Sequence, residues 1–124
     1  MLETSFANID LDIESTQDIT PLVEFWGEEL IVFRLEQDNG IWFGTFETAE
    51  ETTEEIVEKY YRLVSDLTPN LRSIWDSASK KVFDIGFNAG LEPHMYQFSV
   101  SHEAISKLSS IGGSIAVSIY APSS

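Results

Sequence analysis

The stretch that decides the fold is residues 30–48, which read LIVFRLEQDNGIWFGTFET. Two runs rich in apolar and β-branched residues flank the sequence Asp38-Asn39-Gly40. An Asn-Gly pair accepts the positive φ angles of a type I′ turn, which joins two antiparallel strands by a tight connection. The stretch therefore predicts a β-hairpin with strands over 30–37 and 41–48 and with Asn39 and Gly40 at its tip.

The turn also predicts the register of this hairpin. With Asn39 and Gly40 at the tip, Gln37 lies opposite Trp42 and Phe33 lies opposite Phe46. A shift of one residue would move every side chain to the other face of the sheet, so the apolar pattern specifies the register strongly. The shared face would carry the apolar side chains Ile31, Phe33, Leu35, Trp42 and Phe46.

Alternating and helical spacings of apolar residues predict the other elements. Period-two alternation predicts strands near 8–14, 83–87, 96–100 and 115–119, and helical spacing predicts helices near 20–26, 52–67, 69–81 and 101–111. The order is that of a ferredoxin-like β-α-β-β-α-β core extended by a C-terminal β-α-β. We therefore predict one α+β domain over 1–124, with a mixed, mostly antiparallel sheet, helices on one face, and Trp75 and Leu108 in the core.

Two helix starts have recognisable caps. Thr20 precedes Pro21, a residue favoured in the first turn, so Thr20 is predicted to cap the first helix. Thr52 and Glu55 have the spacing of a capping box, in which each residue binds the other's backbone amide. This pair predicts that the long second helix starts directly after Thr52.

Charge is divided unevenly along the chain. Residues 1–58 contain 16 acidic residues and one basic residue, Arg34, for a net charge of −15, whereas residues 59–124 have a net charge of +1. Such a field repels phosphate backbones, which argues against nucleic acid as a partner. It favours a basic protein partner, and solubility alone is the alternative explanation of the acidity.

Composition restricts the compartment and the chemistry. The chain has no cysteine, no basic start followed by an apolar run, and no stretch of about 18 apolar residues that would span a bilayer. These features predict a cytoplasmic protein with no membrane association. They also exclude disulfides and thiolate catalysis.

No residue set predicts catalysis, a cofactor or a metal site. Asp10, Asp12 and Glu14 project from one face of a strand, but neighbours on that face lie about 7 Å apart, too far to share a cation without other ligands. A solvated or edge-protecting face is the simpler interpretation. His94 and His102 lack a partner at zinc-ligand spacing, and a Gly-x-Ser-x-Gly motif is absent.

The C-terminal half resembles a bacterial family catalogued as domain of unknown function 4279. The similar residues are Leu67-Thr68-Pro69 and, towards the end, Ser101-His102-Glu103-Ala104-Ile105, Leu108, Ile111-Gly112 and 115–120, together with Trp42 in the hairpin. The position that in the family holds Gly-x-x-Pro with basic residues reads Gly27-Glu28-Glu29-Leu30 here. The resemblance implies an α+β fold, and some family members are suspected immunity proteins of toxin systems.

Charge and resemblance together predict a non-enzymatic protein-binding module, most concretely an immunity-type inhibitor of a basic toxin. The alternatives are a small-molecule-binding domain or minor enzyme with a pocket between sheet and helices, and an acidic structural or housekeeping domain. Either a monomer or a dimer fits the sequence. The predicted partner-binding residues are Glu24, Glu28, Glu29, Glu50, Glu51, Glu54, Glu55 and Glu58, with Tyr61 as an exposed aromatic among them.

Overall fold

The computed structural model of the protein describes residues 3–92 and 94–122. These residues form five strands, four α-helices and one 3-10 turn, Gly27–Glu29. The strands are β1 (Ser5–Ser15), β2 (Ile31–Asp38), β3 (Ile41–Glu47), β4 (Lys80–Asn88) and β5 (Ser114–Tyr120). The helices are α1 (Thr20–Trp26), α2 (Thr53–Ser65), α3 (Pro69–Ser77) and α4 (His102–Ser110).

The five strands form one mixed sheet in the order β2-β3-β1-β4-β5. Three of the four strand pairs are antiparallel, and β5 runs parallel to β4 after the crossover through α4. This confirms the α+β class and the mostly antiparallel sheet. The order differs from that of a simple ferredoxin-like sheet, because a fifth strand lies beyond β4.

The helices pack on one face of the sheet. Ile9, Leu11 and Ile13 of the central strand β1 point towards them and are buried. Trp26 of α1 contacts Phe46 of β3 and Trp75 of α3, with ring centroids about 6 Å apart in both pairs. Trp75 and Leu108 are buried, as predicted. The other face of the sheet, which carries Asp10 and its neighbours, has no described helix packed on it.

The hairpin turn is confirmed, but its register is only partly as predicted. Asn39 and Gly40 have φ angles of 53° and 79°, and Gln37 pairs with Trp42. The register shifts between Val32 and Arg34, so Val32 rather than Phe33 lies opposite Phe46. A β-bulge explains the difference, since the extra residue, Phe33, has no partner on β3 and remains 62% exposed.

The predicted strand at 96–100 is wrong, because this segment has no sheet pairing. Its alternating apolar residues lie on the helix side of the sheet instead. The ring of Phe98 stacks on Phe6 and packs edge-on against Phe87, with both centroids 5.0 Å away. The free side of β4 is already occupied by β5, so the segment has no edge beside β4 to join.

The two predicted caps also differ in outcome. Thr20 is inside α1, and its backbone N–H donates to Asp18 Oδ1 at 2.8 Å, so Thr20 is not the cap. Thr52 forms the capping box with Glu55, whose backbone N–H donates to Thr52 Oγ1 at 3.2 Å. The long helix therefore starts where the sequence predicts.

Candidate functional site

Four carboxylates gather on the open face of the sheet. Asp10 and Asp12 come from the central strand β1, and Asp10 lies directly opposite Asp84 of β4 in the strand register. Glu47 of β3 is close enough to Asp10 to influence its ionisation. We call Asp10, Asp12, Glu47 and Asp84 the sheet-face cluster.

Neutral groups supply the hydrogen bonds that this cluster receives. The amide of Asn8 donates to Asp10 at 3.2 Å, the hydroxyl of Thr45 donates to Asp12 at 2.9 Å, and the hydroxyl of Ser118 donates to Asp84 at 2.7 Å. The other oxygen of Asp84 is buried without a partner among the described residues. These bonds hold the carboxylates in place but cancel none of their charge.

The pKa of Asp10 shows the electrostatic effect of placing these carboxylates together. Partial burial, followed by the charges of Glu47, Asp12 and Asp84, raises the pKa of Asp10 to about 6. Burial disfavours the charged form, and like charges nearby add to that effect. The open face therefore holds a concentrated negative potential near neutral pH.

The basic residues on this face are engaged elsewhere. Lys80 pairs with Glu14 at 3.1 Å, and Arg34 pairs with Glu36 on β2. Within the described residues, no salt bridge joins a base to the sheet-face cluster. A cationic group from another molecule would be the natural complement of these four carboxylates.

Five of the eight sequence-predicted glutamates come together on a second surface, formed by the 3-10 turn, Glu50 and the first half of α2. Lys59 of α2 contacts Glu29, and this pair places the turn beside the helix. The same contact lowers the pKa of Glu29. We call Glu29, Glu50, Glu54, Glu55 and Glu58 the helical acidic surface. The other predicted residues, Glu24, Glu28 and Glu51, do not line the groove that holds the acids of α2.

Bases lie among these glutamates and weaken their field. Lys107 of α4 contacts Glu58, and this bond raises the pKa of Lys107. Lys59, Arg62 and Lys107 line the same open groove as the acids of α2. Glu24, Glu28, Glu51, Glu54 and Glu55 are exposed and form no salt bridge in the part of the chain that the structure describes.

Two members of the predicted set are less accessible than the sequence suggests. Glu50 is half-buried, with one carboxylate oxygen enclosed and without a partner among the described residues. Tyr61 is also half-buried and packs against the core, with the Lys107 ammonium 5.9 Å from its ring centroid. Tyr61 is therefore a supporting residue at the margin of this surface and is not a protruding anchor.

An apolar cleft of about 380 Å³ opens on the helix side of β4 and β5. The segment 96–100 forms its other wall, and Thr4 also lines it. The remaining lining residues are Ile85, Phe87, Tyr96, Phe98, Val100, Val117 and Ile119.

The sequence indicated part of the sheet-face cluster and missed the rest. Its alternation put Asp10 and Asp12 on a wet face, but β1 is the central strand, so the edge-protecting interpretation is wrong. Asp84 and Glu47 follow the same alternation in β4 and β3. Only the strand order shows that they lie beside Asp10.

No protein-family model matches the chain, and no curated protein or solved structure is significantly similar to it. The family resemblance of the C-terminal half therefore stays a prediction. Within residues 3–92 and 94–122, no helix has the length and apolarity to cross a bilayer. The same residues contain no group of three His, Asp or Glu side chains arranged to hold a metal ion.

Proposed function

We propose that this protein is a non-enzymatic binding module for a basic protein, with the sheet-face cluster as its contact surface. The observation that carries the proposal is the set of four carboxylates that lie together on an open sheet face, with no salt bridge to a base in the described part of the chain. Charge complementarity across an interface fixes its register and suppresses wrong partners. A partner that presents lysine or arginine side chains would relieve the repulsion among these acids.

The helical acidic surface has a different part in this proposal. Its exposed glutamates are solvated charges, which contribute more to the rate of encounter than to the lifetime of a complex. The sheet-face carboxylates are partly buried and held by hydrogen bonds, so they are suited to direct contact. If the family resemblance holds, the basic partner would be a toxin and the module its immunity protein.

Stopped-flow kinetics with a partner captured from the native host tests both parts. We expect an association rate that falls steeply as salt rises, because salt screens charges over about 8–10 Å. Reversal of Glu50, Glu51, Glu54 and Glu55 to lysine should slow association strongly, whereas the isosteric pair Asp10→Asn and Asp12→Asn should mainly speed dissociation. Reversal of Lys81 alone, which belongs to neither acidic surface and donates to the Asp76 carbonyl, is the control and should not slow association.

Two outcomes would contradict the proposal. One is association that does not depend on salt, and the other is a partner that is acidic or is a nucleic acid. If the lysine variant loses soluble yield and no partner is captured, the acidity serves solubility, as in an acidic structural or housekeeping domain.

The apolar cleft favours a second candidate function, the binding of a small apolar molecule. Pockets of roughly 300–1,000 Å³ with mainly apolar linings are typical ligand sites, and this cleft is within that range. Thr4 and the Tyr96 hydroxyl would orient the ligand's polar end. Fluorescence titration with medium-chain fatty acids should show saturable binding that Val100→Phe abolishes by filling the cleft. Unchanged binding in this variant would exclude the cleft as the site.

A further inference from the structure

The two edges of the sheet differ in how they are protected. Edge strands expose unpaired backbone groups, and proteins usually block them with charges, bulges or prolines. The edge strand β2 has such protection, with a bulge at Phe33 and the charged residues Arg34, Glu36 and Asp38. The edge strand β5 reads SIAVSIY, without a charge or a proline, and its register with β4 is unbroken.

The side chains of β5 on the helix side are apolar and exposed. Ile115, Val117 and Ile119 are 43%, 59% and 69% exposed, although they alternate regularly on the face that elsewhere forms the core. Val117 and Ile119 also form the outer wall of the apolar cleft. An unprotected edge and an exposed apolar row therefore coincide on one strand.

The backbone groups that point outwards belong to the same three residues. The N–H of Ala89 donates to the carbonyl of Tyr120 at 2.8 Å, so the backbone groups of Tyr120 face β4. Because N–H and C=O groups alternate in direction along a strand, those of Ile115, Val117 and Ile119 face the open edge. They have no backbone hydrogen-bond partner among the described residues beyond the sheet.

We propose that β5 pairs with β5 of a second copy of this chain, antiparallel and about a two-fold axis at Val117. Val117 then lies opposite Val117 of the second copy. Ile115 lies opposite Ile119 of the second copy, and Ile119 lies opposite its Ile115. All three pairs are of the hydrogen-bonded type, in which the two residues exchange both N–H···O=C bonds. The strand is thus complementary to itself in both backbone and side chains.

Charge distribution supports a second copy as the occupant. A net charge of −14 opposes most close contacts between two copies, yet residues 108–122 contain no charged residue. The nearest preceding charge along the chain is the cation Lys107. β5 itself therefore brings no charged side chain to the pairing, which continues the sheet from one copy into the other. Asp84 of β4, which accepts from Ser118, stays one strand away and contributes repulsion that salt screens.

Pairing also extends the apolar cleft. The second strand would continue the sheet beside Val117 and Ile119, and its own apolar row would lie on the same face. The isoleucines and valine of the second copy would then shield the open side of the cleft from water.

The absence of cysteine from the chain allows a direct test by disulfide trapping. In a hydrogen-bonded antiparallel pair the Cα atoms are about 5.5 Å apart, within the roughly 4.4–6.8 Å that a disulfide spans. Val117→Cys should form a covalent dimer rapidly on mild oxidation. A mixture of Ile115→Cys and Ile119→Cys should cross-link better than either variant alone. Phe33→Cys, on the other edge, is the matched control and should cross-link slowly.

Sedimentation measurements give an independent readout. The unmodified protein should show a monomer–dimer equilibrium that shifts towards dimer as salt rises, because salt screens the net negative charge. This salt dependence is opposite to that expected for a complex with a basic partner. A result that contradicts one of the two proposals therefore does not contradict the other. Val117→Lys and Ile119→Lys should each weaken dimerisation by about a hundredfold, since a lysine would be buried beside the axis without a partner.

Phe33→Lys is the control for these lysine variants and should leave dimerisation unchanged. The denaturation midpoint of each variant shows whether it has folded. The proposal is overturned if the protein stays monomeric at all concentrations and Val117→Cys cross-links no faster than Phe33→Cys. It is also overturned if dimers form but only the β2 variants disrupt them.

Discussion

Replacement of Asp10 by asparagine should stabilise the protein, and the gain should depend on pH. Asparagine has nearly the shape of aspartate and keeps an oxygen that accepts the bond from Asn8. It removes the charge that burial, Glu47, Asp12 and Asp84 all disfavour. The variant therefore relieves repulsion without leaving a cavity.

The size of the effect follows from the pKa of Asp10. A rise from 3.8 to about 6 corresponds to about 3 kcal/mol when the group is fully charged. Because Asp10 is partly exposed, solvent screening should reduce this to about 1 kcal/mol. The folded protein binds the proton more tightly than the unfolded chain, so the penalty grows as pH rises from 3.8 and is complete above about 6.

Urea denaturation of both proteins from pH 5 to pH 8 measures this difference. We expect Asp10→Asn to be more stable by about 1 kcal/mol at pH 8 and by about half of that at pH 5. Asp18→Asn is the control of opposite sign. Hydrogen bonds from Thr20 lower the pKa of Asp18, so its removal should destabilise the protein, and more so at high pH than at low pH. A pH-independent gain for Asp10→Asn, or a loss of stability, would refute the proposed repulsion.

Three further changes test the fold. Gly40→Val should lower the free energy of unfolding by roughly 1–3 kcal/mol in urea denaturation, because a β-branched residue resists the φ of 79° although the site has free space. Gly40→Asn should lower it clearly less, because asparagine accepts a positive φ more readily. Equal losses would contradict strain in the turn as the cause. Trp75→Ala should cost on the order of 3–5 kcal/mol, since the ring is fully buried and its N–H donates to the carbonyl of Ile111 at 2.7 Å. In a folded variant that keeps Trp75 as its single tryptophan, ready quenching of the fluorescence by iodide would contradict that burial. Tyr60→Phe should lower the free energy of unfolding by about 1 kcal/mol, because the buried hydroxyl donates to the Ile9 carbonyl at 2.8 Å. An unchanged denaturation midpoint would show that this hydrogen bond makes no net contribution to stability.

The sequence predicted local structure correctly where residues a few positions apart along the chain determine it. The Asn39-Gly40 turn, the Thr52 capping box and the burial of Trp75 each depend on residues a few positions apart. The bulge at Phe33 was not predicted, because no turn signal marks it; it is seen only in the pairing of Val32 with Phe46. Only part of the candidate site was predicted. The alternation of apolar and polar residues in β1 put Asp10 and Asp12 on a solvated face, but it could not show that Asp84 lies beside them.

The sequence by itself determined most of the strands and helices and which half of the chain is acidic, with the segment 96–100 and the end of the helix at 69–81 as the exceptions. Tertiary structure alone decided that β1 is central, that 96–100 joins no sheet, and that β5 is an open edge. Alternation gives the two faces of a strand but contains no information about which strand lies beside it. That choice depends on the crossover connections and on the burial of the whole apolar face at once, so the carboxylates of β1, β3 and β4 meet only in the folded chain.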